Sequence, residues 1–171
     1  MATATLVSEE EYLATTYEPD RELIDGQLVE RNLGEYDHAN LQSALVTLLR
    51  TRGREWKIRA VVEQRIKVGV KRYRIPDVCI ISRDQPIERV FTRPPLACIE
   101  VLSDCDTLRG LEDKVDDYIA FGVGNIWVLD PVKRRAFVCS GSDFREPREG
   151  VLEIVSSPIR IPLQDLFAEL D

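Results

Sequence analysis

The sequence predicts an α/β fold of mixed α+β character, a mixed sheet flanked by helices, in one domain spanning residues 1–171. Three observations lead to it. The apolar residues switch repeatedly between a 3.6-residue and a two-residue period, so helices and strands are interspersed. Residues 96–102 form an almost continuous apolar run, as a central strand does when both of its faces are covered. The chain shows no internal repeat and no break in composition, and its length suits one hydrophobic core, which commonly organises ~100–200 residues.

Taken in order, Ser8 and Glu11 make a capping box, and Tyr12 and Leu13 give the apolar side of a short helix that ends before Pro19. Glu22-Leu23-Ile24 and Gln27-Leu28-Val29 flank Asp25-Gly26, a pair suited to the positive φ angles of a type I′ turn, which predicts a β-hairpin. From Asp37, Leu41, Ala44, Leu45, Leu48 and Leu49 recur at helical spacing, closed by Arg50, Arg52 and Gly53. Residues 57–62 and 64–68 read as strands, Val68-Gly69-Val70 as a bend, and residues 75–81 as a strand carrying Pro76 and Asp77. After a loop marked by Pro86, Pro94 and Pro95 comes the 96–102 strand. Asp106 or Thr107 then caps a helix with Leu108, Leu111, Val115, Tyr118 and Ile119 on its apolar side, ending near Gly122. Residues 125–129, 135–139 and 151–155 are strand-like, and residues 163–170 form a short amphipathic helix.

Composition narrows the class. Apolar residues make up 44% and charged residues 31%, the balance of a water-soluble globule. No apolar run approaches the ~18–20 residues that cross a bilayer, and the first residues lack the basic-then-apolar order of a signal peptide, so a cytoplasmic location without membrane contact is expected. Cys79, Cys98, Cys105 and Cys139 show no CxxC pairing, and three lie in apolar strand-like runs, as reduced structural thiols do. The net charge of −7, from 23 basic and 30 acidic residues, argues against a charge-driven coat on DNA but not against local contact. Arg50, Arg52, Arg54, Lys57 and Arg59, then Arg65, Lys67, Lys71, Arg72 and Arg74, form either a positive stripe or a solvated helix end and polar hairpin.

The chemistry is signalled by acids in greasy surroundings. A carboxylate inside a hydrophobic strand costs several kcal/mol unless a metal, a cation or hydrogen bonds replace its hydration. Asp77 and Glu100 both stand in such runs. If their strands pair, the two acids converge and offer oxygen ligands to a hard cation such as Mg2+ or Mn2+; otherwise each meets its own Arg or Lys. A lysine two residues beyond the glutamate would share its face, but Leu102 stands there. The nearest candidate is Lys114, two turns into the next helix, whose long stem can snorkel back toward the acids.

These residues, with Glu22-Leu23-Ile24-Asp25-Gly26, His38, Pro76-Asp77-Val78, Glu100-Val101-Leu102-Ser103, Lys114 with Tyr118, and Gly122-Val123 leading to Trp127-Val128-Leu129-Asp130-Pro131, resemble the Uma-two family of the PD-(D/E)XK superfamily. The resemblance implies a restriction-endonuclease-like fold and an Mg2+- or Mn2+-dependent endonuclease that hydrolyses DNA phosphodiesters. It implies Asp77, Glu100 and the Val101 carbonyl as metal ligands, and Lys114 as the lysine moved from strand to helix. Glu22 then holds a second metal or its water, or else forms a surface salt bridge. The chain departs from the family at Asp104-Cys105-Asp106 and at Gly110, which bears on the loop after the strand.

His38, the only histidine, is either a proton-transfer group or a bland residue at a helix start, one position after a capping Asp37. Gln64 is a candidate polar residue on a strand beside the site, and Trp56 and Trp127 read as core or edge aromatics. The competing function is a catalytically inactive nuclease-fold module that binds nucleic acid or protein. Apolar strands near Val151 and the C-terminal helix could pair two chains into a homodimer.

Overall fold

The computed structural model describes residues 6–31 and 34–171, so the opening stretch read above for a signal lies mostly outside the described residues. Its centre is a six-stranded sheet in the order β10-β9-β8-β7-β6-β3. These strands are β3 (Ile58–Val62), β6 (Val78–Ser82), β7 (Ala97–Val101), β8 (Asn125–Asp130), β9 (Arg135–Ser140) and β10 (Asp143–Arg145). β7 and β8 run parallel and the other neighbours antiparallel, so the sheet is mixed as predicted. A parallel pair needs a long crossover, and helix α3 (Leu108–Phe121) supplies it.

Alternation along the strands assigns the two faces. Val78, Ile80, Ala97, Ile99 and Val101 point to one side, where they meet Leu41, Leu45 and Leu49 of α2 (Tyr36–Arg52) and Leu166 and Phe167 of α4 (Leu163–Ala168). Cys79, Ile81, Cys98 and Val128 point to the other side, against Val115 and Tyr118 of α3. The helical period predicted α3 well, from the Thr107 cap to Gly122 in the left-handed region at φ 100°. Its apolar ends are another matter: Leu108 and Ile119 are exposed.

A second sheet of four strands, in the order β2-β1-β5-β4, was not anticipated. It comprises β1 (Arg21–Ile24), β2 (Gln27–Glu30), β4 (Ile66–Gly69) and β5 (Arg72–Arg74). The Asp25-Gly26 hairpin is as read, with φ of 53° and 83°. The short α1 (Glu9–Ala14) begins at Ser8, whose hydroxyl accepts the Glu11 N–H, and packs Tyr12 against Leu23 and Tyr73 of this sheet.

Three boundaries need correction. The predicted bend at residues 68–70 falls one residue later, after β4 runs to Gly69 with a bulge, and Lys71 takes φ 51°. The predicted 75–81 strand is cut at its start: Ile75-Pro76-Asp77 carries the chain from β5 to β6, and Asp77 precedes the strand instead of lying inside it. A proline cannot donate to a ladder, which is the physical reason for the break. Gly53 ends α2 in the right-handed region, not the left-handed cap its position suggested.

The segment near Val151 also differs. Strands β11 (Val151–Glu153) and β12 (Arg160–Pro162) form a small sheet that buries Leu152 and Ile161 in the main core with Leu166 and Phe167. Leu152, Ile161, Leu166 and Phe167, in the region read as a surface for pairing two chains, are thus used within the chain, while Val155 is exposed. All four cysteines are free thiols, three of them buried on β6, β7 and β9 and Cys105 exposed. Among the described residues, no helix is long and apolar enough to cross a membrane.

Candidate active site

The antiparallel register of β6 and β7 pairs Val78 with Ile99 and Cys79 with Cys98, which carries Asp77 opposite Glu100. Directly opposed residues point to the same side of a sheet, and both acids emerge on the face covered by α3. Asp77 is 5% exposed and Glu100 4%, so neither is solvated by water. They meet in a cleft of about 170 Å³, lined also by Glu22, Arg31, His38 and Lys114.

Helix α3 delivers the cation. Lys114 and Tyr118 are four residues apart, hence on one face, and both reach Glu100. Lys114 Nζ lies 2.8 Å from Glu100 Oε2, and the Tyr118 hydroxyl donates to Glu100 Oε1 at 2.5 Å. The sequence reading that placed Lys114 against the acids matches this geometry, and Tyr118, read as part of the apolar side, proves to carry a polar contact as well.

Asp77 is held by three elements. Its Oδ2 accepts the Val101 N–H at 2.8 Å and faces His38 Nε2 at 3.3 Å, while Arg31 Nη2 donates to Oδ1 at 3.0 Å. His38 lies in the first turn of α2, which starts at Tyr36 with Glu35 at the cap position; Asp37 is not the cap. It stands at the helix start as read, and its imidazole also faces Asp77. A side chain on Gly34 would collide with the imidazole, since an added Cβ would lie 2.7 Å from His38 Nδ1.

Glu22 differs from the expected surface salt bridge. It is 2% exposed, its Oε1 accepts the Ile75 N–H at 2.9 Å and its Oε2 accepts Arg74 Nη1 at 2.8 Å. It is therefore a buried ion pair rather than a surface salt bridge, although it still borders the cleft. Arg74 Nε continues to Asp117 Oδ2 at 2.6 Å, and Arg72 Nε reaches Asp117 Oδ1 at 2.7 Å. This bridge fastens β5 to α3, the helix that bears Lys114. Arg72 and Arg74 alternate on one strand face around Tyr73, a signal that an acid must face them, and Asp117 was missed without it.

Four of the five residues of the second basic cluster are thus paired with acids of the chain, Arg65 with Asp20 and Lys67 with Glu9 as well as Arg72 and Arg74, so these four do not form a free positive stripe. Gln64 lies outside the cleft, its amide donating to the carbonyls of Arg65 and Arg89. Trp127 is core, and Trp56 packs at its edge. The departing loop Asp104-Cys105-Asp106 is closed by Asp106, whose Oδ2 accepts both the N–H and the hydroxyl of Ser103 at 2.8 Å.

Burial and crowding set the protonation. Burial is the main force raising the Glu100 carboxyl from 4.5 to about 7; Asp77 adds to it and Lys114 opposes it. Asp77 goes the other way: burial would raise it, but the contacts with His38 and the Val101 N–H outweigh that and hold it below 3.8. Burial alone would lower Lys114, and the negative charge of Glu100 reverses this, so its ammonium is retained at higher pH than usual. His38 is raised chiefly by its hydrogen bond to Asp77.

A stability prediction follows from Glu100. The folded state holds this proton up to about pH 7 while an unfolded glutamate releases it near 4.5, so the folded state binds more protons in that window and stability falls as pH rises through it. Urea denaturation of Glu100→Gln, which cannot titrate, is expected to show a flatter profile than the unsubstituted chain between about pH 5 and 7. Parallel profiles would contradict the raised carboxyl.

Among the described residues, no group of three or more His, Cys, Asp and Glu side chains is placed to hold a metal ion. The donor set on offer is two opposed carboxylates and the nearby main chain at Val101.

A crystal structure of "a putative nuclease belonging to DUF820" from Anabaena variabilis matches with a TM-score of 0.81 and 21% identity, over 96% of this chain and 99% of that one. At that identity the likeness shows the fold, which bears out the restriction-endonuclease-like expectation. A cryo-EM structure of a DrdV–DNA complex matches with a TM-score of 0.42 and 18% identity, over 73% of this chain and 10% of that one, too distant to support an argument. No curated protein matched. The family described as "Putative restriction endonuclease" matches residues 9–166, and the chain belongs to this Uma2 family.

Proposed function

We propose that the protein is a metal-dependent endonuclease that hydrolyses DNA phosphodiester bonds, with Mg2+ or Mn2+ held by Asp77, Glu100 and the Val101 carbonyl. The observation that carries the reading is the register of β6 on β7, which opposes two buried acids on one face with Lys114 2.8 Å from one of them. The donor set suits such an ion: hard oxygen ligands, two carboxylates rather than a full cage, and room for water and phosphate to complete the shell. When bound, the ion would polarise a phosphate oxygen and make an attacking water more acidic.

The chain's own residues supply the rest. Lys114 donates toward the attacking water or the charge that develops on the phosphate. Tyr118 fixes the Glu100 carboxylate, and the Val101 N–H and His38 fix that of Asp77. Glu22, already saturated by Arg74 and Ile75, supports the wall of the site and is not a ligand in this reading.

Supercoiled plasmid incubated with purified protein and Mg2+ or Mn2+ should be nicked, and Lys114→Ala should cut about 10²–10³-fold more slowly, as loss of one preorganised electrostatic donor typically costs. Equal cutting by the variant would point to a contaminant. A second reading, binding without turnover, draws on the acidity of the chain and the internal pairing of Arg65, Lys67, Arg72 and Arg74. Gel retardation of DNA with both ions present and no nicking would favour it.

A further inference from the structure

Each acid of the cleft has one carboxylate oxygen that accepts from an uncharged donor, shared in Asp77 with His38, and the other facing a cation. In Asp77 the Val101 N–H takes Oδ2, together with His38, and Arg31 takes Oδ1 at 3.0 Å. In Glu100 the Tyr118 hydroxyl takes Oε1 and Lys114 takes Oε2. The neutral donors fix direction, and the cations balance charge in a site with little water. Lys114 has a part in the function proposed above. Arg31 has none, although its side chain is only 14% exposed.

Arg31 brings a guanidinium to Asp77 Oδ1, so any divalent cation reaching that oxygen must face a like charge or displace it. Its second neighbour holds it weakly: Glu63 Oε1 is 3.9 Å away and more than half exposed. It also has space to move. Two clefts, one containing Glu100 and Lys114 and the other bordered by Pro19, Gln42 and Glu63, meet at Arg31, His38 and Asp77. A planar guanidinium released there would find in a phosphodiester the bidentate partner it fits best.

We propose that Arg31 is a displaceable counter-ion: it competes with a divalent cation for Asp77 Oδ1 and, once released, pairs with a phosphate oxygen of the substrate. The inference rests on the reading that Asp77 and Glu100 hold a metal, but not on turnover.

The test is Mn2+ binding to the full chain by calorimetry, without nucleic acid, for the unsubstituted protein and for Arg31→Gln, Arg31→Met and Arg31→Lys. Removing a like charge a few ångströms from the ion should tighten Mn2+ binding by about tenfold in the Gln and Met variants, and keeping a charge in the Lys variant should leave it near the starting value. In nicking assays at saturating metal, the two neutral variants should show a raised KM for DNA. A measurement that needs no stable neutral variant is the Arg31 Nε–H signal in nitrogen-15 NMR, assigned by its loss in Arg31→Lys, which should move when Mg2+ is added. Unchanged or weaker Mn2+ binding in the neutral variants, or an Arg31 signal indifferent to Mg2+, would overturn the proposal. Mn2+ binding that behaves as expected in a protein that does not cut DNA would remove the nuclease reading and leave this inference standing. No Mn2+ binding in any of the four chains would remove both.

Discussion

Asp77→Asn is expected to lower DNA cleavage by more than the ~10–100-fold that loss of an outer-shell partner costs a metal site, with little loss of folding. The substitution keeps the size of the side chain and an oxygen for the Val101 N–H, so the turn entering β6 has no steric reason to move. What disappears is the negative charge that would share the ion with Glu100. Arg31 keeps Glu63 at 3.9 Å and is partly solvated, and His38 can become neutral, so neither is left as a stranded buried charge. Asp77→Ala is the poorer experiment, because it also removes the acceptor of a buried main-chain N–H, which costs about 1–3 kcal/mol. Plasmid nicking rates set beside thermal unfolding of the Asn variant separate the two effects. Cutting at the unsubstituted rate would show that Asp77 is only a structural acid.

The largest stability effect is expected at Arg74. Arg74→Met retains much of the aliphatic volume but strands Glu22, which is almost fully buried and would keep only the Ile75 N–H. Breaking a buried pair by removing one partner typically costs about 3–5 kcal/mol, because the remaining charge has neither water nor counter-ion. Asp117 would still have Arg72, so the damage concentrates on Glu22 and on the seam between β5 and α3. Chemical denaturation should show the loss, and Glu22→Gln added to Arg74→Met should restore part of it by removing the stranded charge. A loss below about 1 kcal/mol would mean that Glu22 reaches water or takes up a proton at little cost. Since α3 also carries Lys114, the variant should lose nuclease activity even where it remains folded.

Much of the molecule was legible in the chain because local rules decide it. The Ser8 cap, the Asp25-Gly26 hairpin and the Thr107-to-Gly122 helix follow from side chains that bond their own backbone or tolerate positive φ. The two acids were legible for a related reason: Glu100 interrupts an apolar strand, and nothing in strand physics accounts for a carboxylate there without a partner. Lys114 could be named from helical spacing together with a family resemblance, though not its 2.8 Å approach to Glu100.

Local rules were silent on partners distant in sequence. Arg31 and His38 converge on Asp77 from 46 and 39 residues away, and no periodicity marks either of them. Glu22 was read as a holder of a second metal or its water, or as a surface salt bridge, and the chain alone did not show that Arg74, 52 residues on, pairs with it in a buried position. The split of residues 75–81 had a visible cause in Pro76, but only the second sheet explains where the preceding strand goes. Residue type and spacing therefore determined most of the elements and singled out the two acids that the cleft buries, since both readings depend on interactions within a few positions. Which cations meet those acids, on which oxygens, and with what shift of protonation was decided by tertiary structure, because charge compensation in a buried cleft acts through space and not along the chain.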